Sequence, residues 1–326
     1  FCTGMSMTQN STVTEFILLG LSSDPQAQFI LFGVFFIIYL MAVVGNIIIL
    51  LIVSLDVRLH NPMYFFLCNL SVIDIGYTTS TVPKMLMNYL SNDKRISFSG
   101  CLSQMYFFIS FGGIECLLLG IMAYDRYAAI CHPLHYGVLM RQPLCQCLVA
   151  CSWAIGNLNA ITNTTFVFSL HFCSSNKIMH FFCDIPPLLH LSCSDISLVE
   201  MVTFIISGSI MITTVSFIVL SYFFIISAVQ KIHTIQGKIK TFSTCASHLT
   251  VVSLFYSTAI FTYMRPSSSR SIEQDCLISL MYTVVTPLLN PLIYSFKNKE
   301  MQAAFLNVLG KKKIFNSKSS CSNQRN

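Results

Sequence analysis

The sequence predicts an all-α membrane protein: a seven-transmembrane helix bundle with a short amphipathic cytoplasmic helix after the seventh span. Three observations predict it. The 326-residue chain is 54% hydrophobic and only 10% charged, with a mean hydropathy of +0.68, whereas soluble domains carry roughly 25% charged residues. Seven apolar stretches are long enough to cross ~30 Å of hydrocarbon, which takes about 20 residues of helix. Lipid offers the backbone no hydrogen-bond partners, so each stretch must be helical. Third, Lys and Arg gather on one side of these stretches. The net charge of +6 therefore lies in short loops between spans, which excludes a nucleic-acid-binding surface.

The elements follow in chain order. Residues 1–28 form an outer tail. They hold no Lys or Arg, and Phe16 to Leu21 is too short for a signal-peptide core, so the first span is expected to act as its own insertion signal. Met5 and Met7 both suit a native start. Asn10-Ser11-Thr12 is a glycan acceptor in this tail. Asn69-Leu70-Ser71 also matches but lies within the second span, and Asn163-Thr164-Thr165 lies near the membrane edge. The seven-helix domain covers 29–296, with spans at 29–53, 62–83, 101–125, 143–168, 200–229, 243–264 and 274–296. No inverted repeat with matched broken helices marks a transporter.

One side of the membrane holds Arg58, Arg126, Arg141, Lys231, Lys238, Lys240, Lys297, Lys299 and the tail from Lys311. The other holds Lys84, Lys94, Arg95, Lys177, Arg265 and Arg270. The heavier side is cytoplasmic, so the N-terminus is expected outside and the C-terminus inside. Residues 297–310 place Met301, Ala304, Phe305 and Leu309 on one helical face, suited to the headgroup layer. Lys311, Lys312 and Lys313 then meet anionic lipid, and 311–326 is a basic, polar, disordered tail.

Four of the 14 cysteines stand apart. Cys101 opens the third span, and Cys173, Cys183 and Cys193 lie in the long outer loop before the fifth. An oxidising compartment favours disulfides there, and four cysteines allow three pairings. His171, His180 and His190 raise a metal site as the rival, but the spacing lacks the tight pairs zinc prefers.

The third span works as a ruler. Phe108, Gly112 and Glu115 share one face, and Arg126 returns close to it about three turns later. Phe108 to Arg126 spans about 27 Å along the axis. Asp125 and Arg126 sit together where hydrocarbon meets water, and charge at that depth pairs or performs a task. Asp74 and Glu115 are each the lone acid of their span. They are read as a cation site, sodium being the candidate ion, or as carboxyls sharing a proton. The alternative is a purely hydrogen-bonding role with Asn46 and Asn290.

Five motifs in order make the chain resemble the olfactory receptors, a branch of the rhodopsin-like (class A) G-protein-coupled receptors. They are Leu59-His60-Asn61-Pro62-Met63-Tyr64-Phe65-Phe66-Leu67 leading to Leu70-Ser71-Val72-Ile73-Asp74; Met122-Ala123-Tyr124-Asp125-Arg126-Tyr127 continuing to Cys131; Ser221-Tyr222; Lys240-Thr241-Phe242-Ser243-Thr244-Cys245-Ala246-Ser247-His248-Leu249; and Pro287-Leu288-Leu289-Asn290-Pro291-Leu292-Ile293-Tyr294-Ser295. Ala128 stands where the family usually has Val, and Thr241 where it usually has Ala.

The resemblance implies a disulfide between Cys101 and Cys183, a second between Cys173 and Cys193, and a loop fixed as a lid. It implies a ligand pocket in the outer half from Phe108, Ile109, Gly112, Gly113, Ile206, Ser207, Ile210, Tyr256, Ala259, Ile260, Tyr263, Leu280 and Thr283. Such a nearly uncharged set suits small hydrophobic molecules with one polar group. At the inner end it implies a switch: Asp125 holds Arg126 at rest, and activation releases Arg126 toward Tyr222. Tyr127, His248, Asn290, Pro291 and Tyr294 complete the set. His248 replaces the acid many receptors use as a lock partner, implying a weaker, pH-sensitive latch, and Pro291 allows a bend in the seventh helix. Tyr256 stands where many relatives carry a Trp toggle.

The implied partners are an odorant, the lipid bilayer and a stimulatory olfactory-type heterotrimeric G protein that raises cyclic AMP. No organic cofactor is expected. An opsin would need a Lys in 274–296, and an amine receptor an Asp at Phe108; neither is present. A channel or transporter using Asp74 and Glu115 is the alternative class, and it lacks rings of charge along a path. No metalloprotease or nucleophile-elbow motif points to an enzyme.

Overall fold

The computed structural model describes residues 13–91, 93–173, 175–231, 234–263, 272–296 and 300–307. The Asn10 sequon, Arg265, Arg270, Lys297, Lys299, Leu309 and the 311–326 tail lie outside the described residues.

Seven long helices form the bundle: α1 (Pro25–Leu55), α2 (Pro62–Leu90), α3 (Phe98–Cys131), α4 (Gln142–Phe168), α5 (Ser197–Gln230), α6 (Ile235–Tyr263) and α7. The last is continuous in three parts, Ile272–Leu280, a π-helical turn Met281–Val285, and Thr286–Phe296. An eighth helix, α8, occupies 300–307. The helices overrun the apolar spans at several ends because polar caps finish them. Asp24 accepts from the Ala27 N–H ahead of α1, and Asn61 from the Tyr64 N–H ahead of α2, each followed by a proline in the first helical position. This is the local reason for the Asn61-Pro62 pair. Ser97 caps α3 through the Gly100 N–H.

Six of these helices, with α6 counted from Cys245 and α7 from Gln274, are long and apolar enough to cross a membrane. The seventh span is α2, less apolar because it is an interior helix: it packs on α1, α3 and α7, and Ser71, Asp74, Thr78, Thr81 and Asn88 are all buried. The lipid-facing helices look different. Phe29, Ile30 and Ile37 of α1 and Phe204, Val219 and Phe223 of α5 are exposed, an apolar belt that only hydrocarbon would cover.

The tail contributes a feature that its polar composition did not reveal. Strand β1 (Glu15–Leu18) pairs antiparallel with β2 (Arg95–Ser97) and parallel with β3 (Lys177–Ile178). Alternate residues Phe16 and Leu18 are fully buried, as the two-residue period of a strand requires. The tail, the α2–α3 loop and the α4–α5 loop are thereby tied at one end of the bundle. Gly20, at φ +76°, turns the chain from this sheet toward α1.

At the other end α8 folds back with Met301 and Ala304 buried, while Phe305 and Leu306 face outward. The side expected to meet headgroups divides: Met301 and Ala304 pack inward, Phe305 stays exposed, and at the start of the helix the Tyr64 hydroxyl donates to Glu300 Oε2 at 2.9 Å. Asn163 is fully buried and bonded within the bundle, so the Asn163 sequon cannot accept a glycan.

Candidate functional site

α3 passes through the middle of the bundle and carries groups at three depths. At the outer level a cavity of about 660 Å³ opens between α3, α4, α5, α6 and α7. The α4–α5 loop roofs it. Cys183 is bonded to Cys101 (Cα–Cα 5.5 Å) and Cys173 to Cys193 (Cα–Cα 6.0 Å). The Cys183 N–H donates to Gln104 Oε1 at 2.9 Å, while Gln104 Nε2 donates to the Ser80 carbonyl. The short helix Ile185–Leu189 then supplies Ile185, Pro186 and Leu189 as the ceiling.

Eight of the thirteen expected lining residues reach this cavity: Phe108, Ile109, Gly112, Gly113, Ser207, Ile210, Ala259 and Tyr263. Five do not. Ile260 is exposed on the lipid side. Ile206 is turned about 100° from Ser207 by the helical step. Leu280 packs with the aromatic cluster around Phe108 and Tyr282. Thr283 is buried and donates to the Ser279 carbonyl at 2.6 Å. Tyr256 lies one layer beneath, donating to the carbonyl of Cys116, which itself lines the cavity. Sequence reasoning missed Asn159 on α4 and Tyr282 on α7, both in the wall. The available signal was an Asn deep in an apolar span.

It also missed a polar network under the lid. Asp184 accepts from Tyr263 at 3.0 Å and from the Ile185 N–H at 2.7 Å. Tyr282 shares a 2.6 Å bond with Ser279, which contacts His180 Nε2 at 3.2 Å. Burial keeps the His180 ring neutral, lowering its pKa to about 3.

At the middle level Asn290 Nδ2 donates to both Asp74 oxygens at 3.0 and 3.1 Å. Glu115 is fully buried with the Asn290 amide its polar neighbour, and neither of its oxygens meets a donor in full hydrogen-bond geometry. The same is true of Asn46 Oδ1, Ser71 Oγ and Asn290 Oδ1. A buried set of unsatisfied oxygens fits a hard cation. No Asp74–Glu115 hydrogen bond joins the acids directly. Pro291 has no N–H for the Pro287 carbonyl, and Asn46 Nδ2 fills that place at 3.2 Å. α7 departs from regular α-helix at the π-turn Met281–Val285, ahead of Pro287 and Pro291.

At the inner level Arg126 is 6% exposed and points into the bundle, where its charge acts on Tyr222, Cys245, His248 and Tyr294. The expected resting pair of Asp125 with Arg126 is not formed: among the described residues the ion pairs are Arg58–Asp56, Arg95–Glu15 and Arg95–Asp93. Adjacent helical residues diverge by about 100°, so Asp125 turns to the loop and accepts from Tyr136 at 2.7 Å. The inner contact across helices is instead His248. Its Nε2 lies 3.2 Å from the Leu119 carbonyl, so Nε2 carries the proton and Nδ1 accepts from Tyr222 Oη at 2.8 Å. His248 is fully buried. Tyr127 contacts His132 and packs at a tilt against Phe224, outside this cluster. Tyr294 is buried with its hydroxyl unpartnered.

A family pattern described as "Olfactory receptor" matches residues 35–312. The chain is 49% identical over 308 residues to human Olfactory receptor 5AR1, covering 94% of this chain and 99% of that protein. It is 50% identical to human Olfactory receptor 5B21 over 93% of this chain and 98% of the relative. Mouse Olfactory receptor 5AP2 is 51% identical over 92% and 95%.

Proposed function

Because this chain belongs to the olfactory receptor family, a multi-pass membrane receptor rather than an enzyme, we propose that it binds small, mostly hydrophobic, uncharged volatile molecules in the outer cavity and thereby activates a stimulatory olfactory-type G protein. The cavity supports this reading most directly: about 660 Å³ of largely apolar space, roofed by a disulfide-anchored loop, lies in the size range of small-molecule sites. The mechanism runs down α3. A ligand that packs better against one arrangement of α5 and α6 shifts the population toward it. Cys116 carries that preference inward, since it lines the cavity and is held by Tyr256 of α6 and Thr214 of α5. The His248–Tyr222 contact below it joins α6 to α5 and α3. Opening that contact frees Tyr222 and exposes Arg126 to the G protein.

The N-terminus lies outside and the C-terminus in the cytosol. Asn10 carries a glycan. Asp74 and Glu115 would hold a sodium ion at rest, which would neutralise the buried carboxylates. In cells displaying the receptor, an odorant panel read through cyclic AMP tests the proposal. A dose-dependent rise absent from untransfected cells is expected; ion flux from purified protein in liposomes without G protein, and no cyclic AMP signal, would overturn it.

A further inference from the structure

Asn159 and Asn163 sit one turn apart on α4. Asn163 Nδ2 lies 2.9 Å from the backbone carbonyl of Asn159. A carbonyl only accepts, so that side-chain atom is the amide nitrogen. The same nitrogen reaches the Asn159 side chain at 2.9 Å, so the atom it meets is Oδ1. The Ser207 hydroxyl of α5 donates to that oxygen as well, at 2.9 Å. Two donors thus saturate Asn159 Oδ1 and fix the amide. Its Nδ2 is left with no partner among the described residues, although Asn159 is 5% exposed and lines the cavity.

Beside the free amide, at the contact of α3 with α4, the cavity wall is backbone. Gly113 has no side chain, and a Cβ built there would stand 3.6 Å from Asn159 Nδ2. One turn before Ser207, Thr203 lines the cavity with a buried hydroxyl that also has no partner. The described lining includes one acid, Glu200, and no Lys, Arg or His.

From this arrangement we infer that Asn159 reads the polar end of the ligand, and that the cavity selects uncharged molecules with a hydrogen-bond acceptor, namely ketones, aldehydes and esters. The inference rests on the odorant-binding reading above. A donor buried in a dry wall costs free energy until an acceptor meets it, so a carbonyl compound gains what its hydrocarbon analogue cannot. Carboxylates meet no cation to offset their desolvation. A cationic amine presents donors to a donor at Asn159, and its one counter-charge in the described lining, Glu200, lies a turn before Thr203.

The test uses matched pairs, carvone with limonene, menthone with menthane and octanal with octane, together with octanoate and octylamine. Each is read as cyclic AMP in cells and as thermal stabilisation of the purified receptor. Responses are expected to concentrate in the carbonyl member of each pair. Asn159→Asp keeps an oxygen for Ser207 and Asn163 and exchanges the free NH2 for oxygen. At equal surface level it should weaken carbonyl ligands about tenfold. Asn159→Leu should do the same. Gly113→Ala, which leaves the amide intact, should instead shift preference toward smaller ketones. Equal potency for ketone and hydrocarbon, a preference for octanoate or octylamine, or unchanged carbonyl potency in both Asn159 variants would overturn the inference while leaving the receptor reading standing. Stabilisation by carbonyl ligands without cyclic AMP would overturn the coupling and leave the inference intact. Silence of the whole panel in both readouts would count against both.

Discussion

The two ends of the bundle differ in the kind of polar group they bury. In the outer half the groups that shape the cavity are held in place, with Asn159 Nδ2 and the Thr203 hydroxyl left open toward it. Asn159 is oriented by Ser207 and Asn163, Tyr263 by Asp184, and the lid by Gln104, two disulfides and a three-stranded sheet. Buried groups without a partner occur in both halves, but those of the outer half (Asn88, Tyr89, Asn163, Thr164, Thr203 and Thr262) are neutral, whereas those of the inner half include both Glu115 oxygens and Arg126 Nε beside Asn46 Oδ1, Asn290 Oδ1 and the Tyr294 hydroxyl. Each unmade bond in a buried site costs ~1–3 kcal/mol. The outer half is a mould whose shape is fixed before the ligand arrives. The inner half is a set of unmet demands that an ion, a G protein or a rearranged helix can satisfy, and that is the physical content of a switch.

The comparison breaks first where the mould is fastened. Replacing Cys101 or Cys183 by Ser opens a link of sequence separation 82 and should remove ~2–5 kcal/mol and most surface-expressed receptor. Losing Cys173–Cys193, of separation 20, should cost less, because the stabilisation grows with loop length. Cell-surface labelling and thermal melting in detergent rank the two. Next comes the contact of α3 with α4. A Cβ on Gly156 would stand 2.5 Å from Ile114 Cγ1 and 3.0 Å from the Ser110 carbonyl. Gly156→Ala should therefore cost ~1–3 kcal/mol in melting. Gly112→Ala, 3.4 Å from the Tyr77 ring, should melt nearly normally and change ligand potency instead.

A smaller effect is expected inside. Tyr222→Phe removes the bond to His248 Nδ1, worth about 1 kcal/mol, and should raise basal cyclic AMP several-fold. Unchanged basal signalling would mean that this contact does not restrain α6. The smallest effect is on pH. His180 has a folded pKa lowered to about 3 by burial. Its contribution to lid stability is complete above the ordinary histidine value of ~6.5 and is lost as pH falls toward the folded value. Melting temperature should drop between neutral pH and pH ~5, and His180→Gln should flatten that slope.

Much of this architecture is legible in the sequence. Hydropathy and Lys/Arg placement give the spans, the family motifs give both disulfides, and helical spacing puts Phe108, Gly112, Glu115 and Arg126 on the interior face of α3, where the structure has them. What was illegible depends on pairing between distant segments. The strand at Glu15–Leu18 exists only because Arg95–Ser97 and Lys177–Ile178 come to lie beside it. The Asp184 cluster is assembled from a loop and two helices, and nothing local marks that acid as buried. Asp125 follows the same rule: its partner is Tyr136, eleven residues on in a loop, and not the arginine beside it. Asn159 was visible as a polar residue in an apolar span, but the direction of its amide depends on Ser207 of another helix.

The central claim is that one helix joins a separate binding cavity to a separate switch. Paired dose–response curves of wild type, Asn159→Asp and Arg126→Ala at equal surface level, with odorant binding followed by thermal shift, test it most directly. The account predicts that Asn159→Asp moves the curve to higher odorant concentration with its maximum preserved. It predicts that Arg126→Ala abolishes the cyclic AMP maximum while odorant still stabilises the protein. An intact cyclic AMP response in Arg126→Ala, or loss of odorant stabilisation in that variant alone, would contradict it.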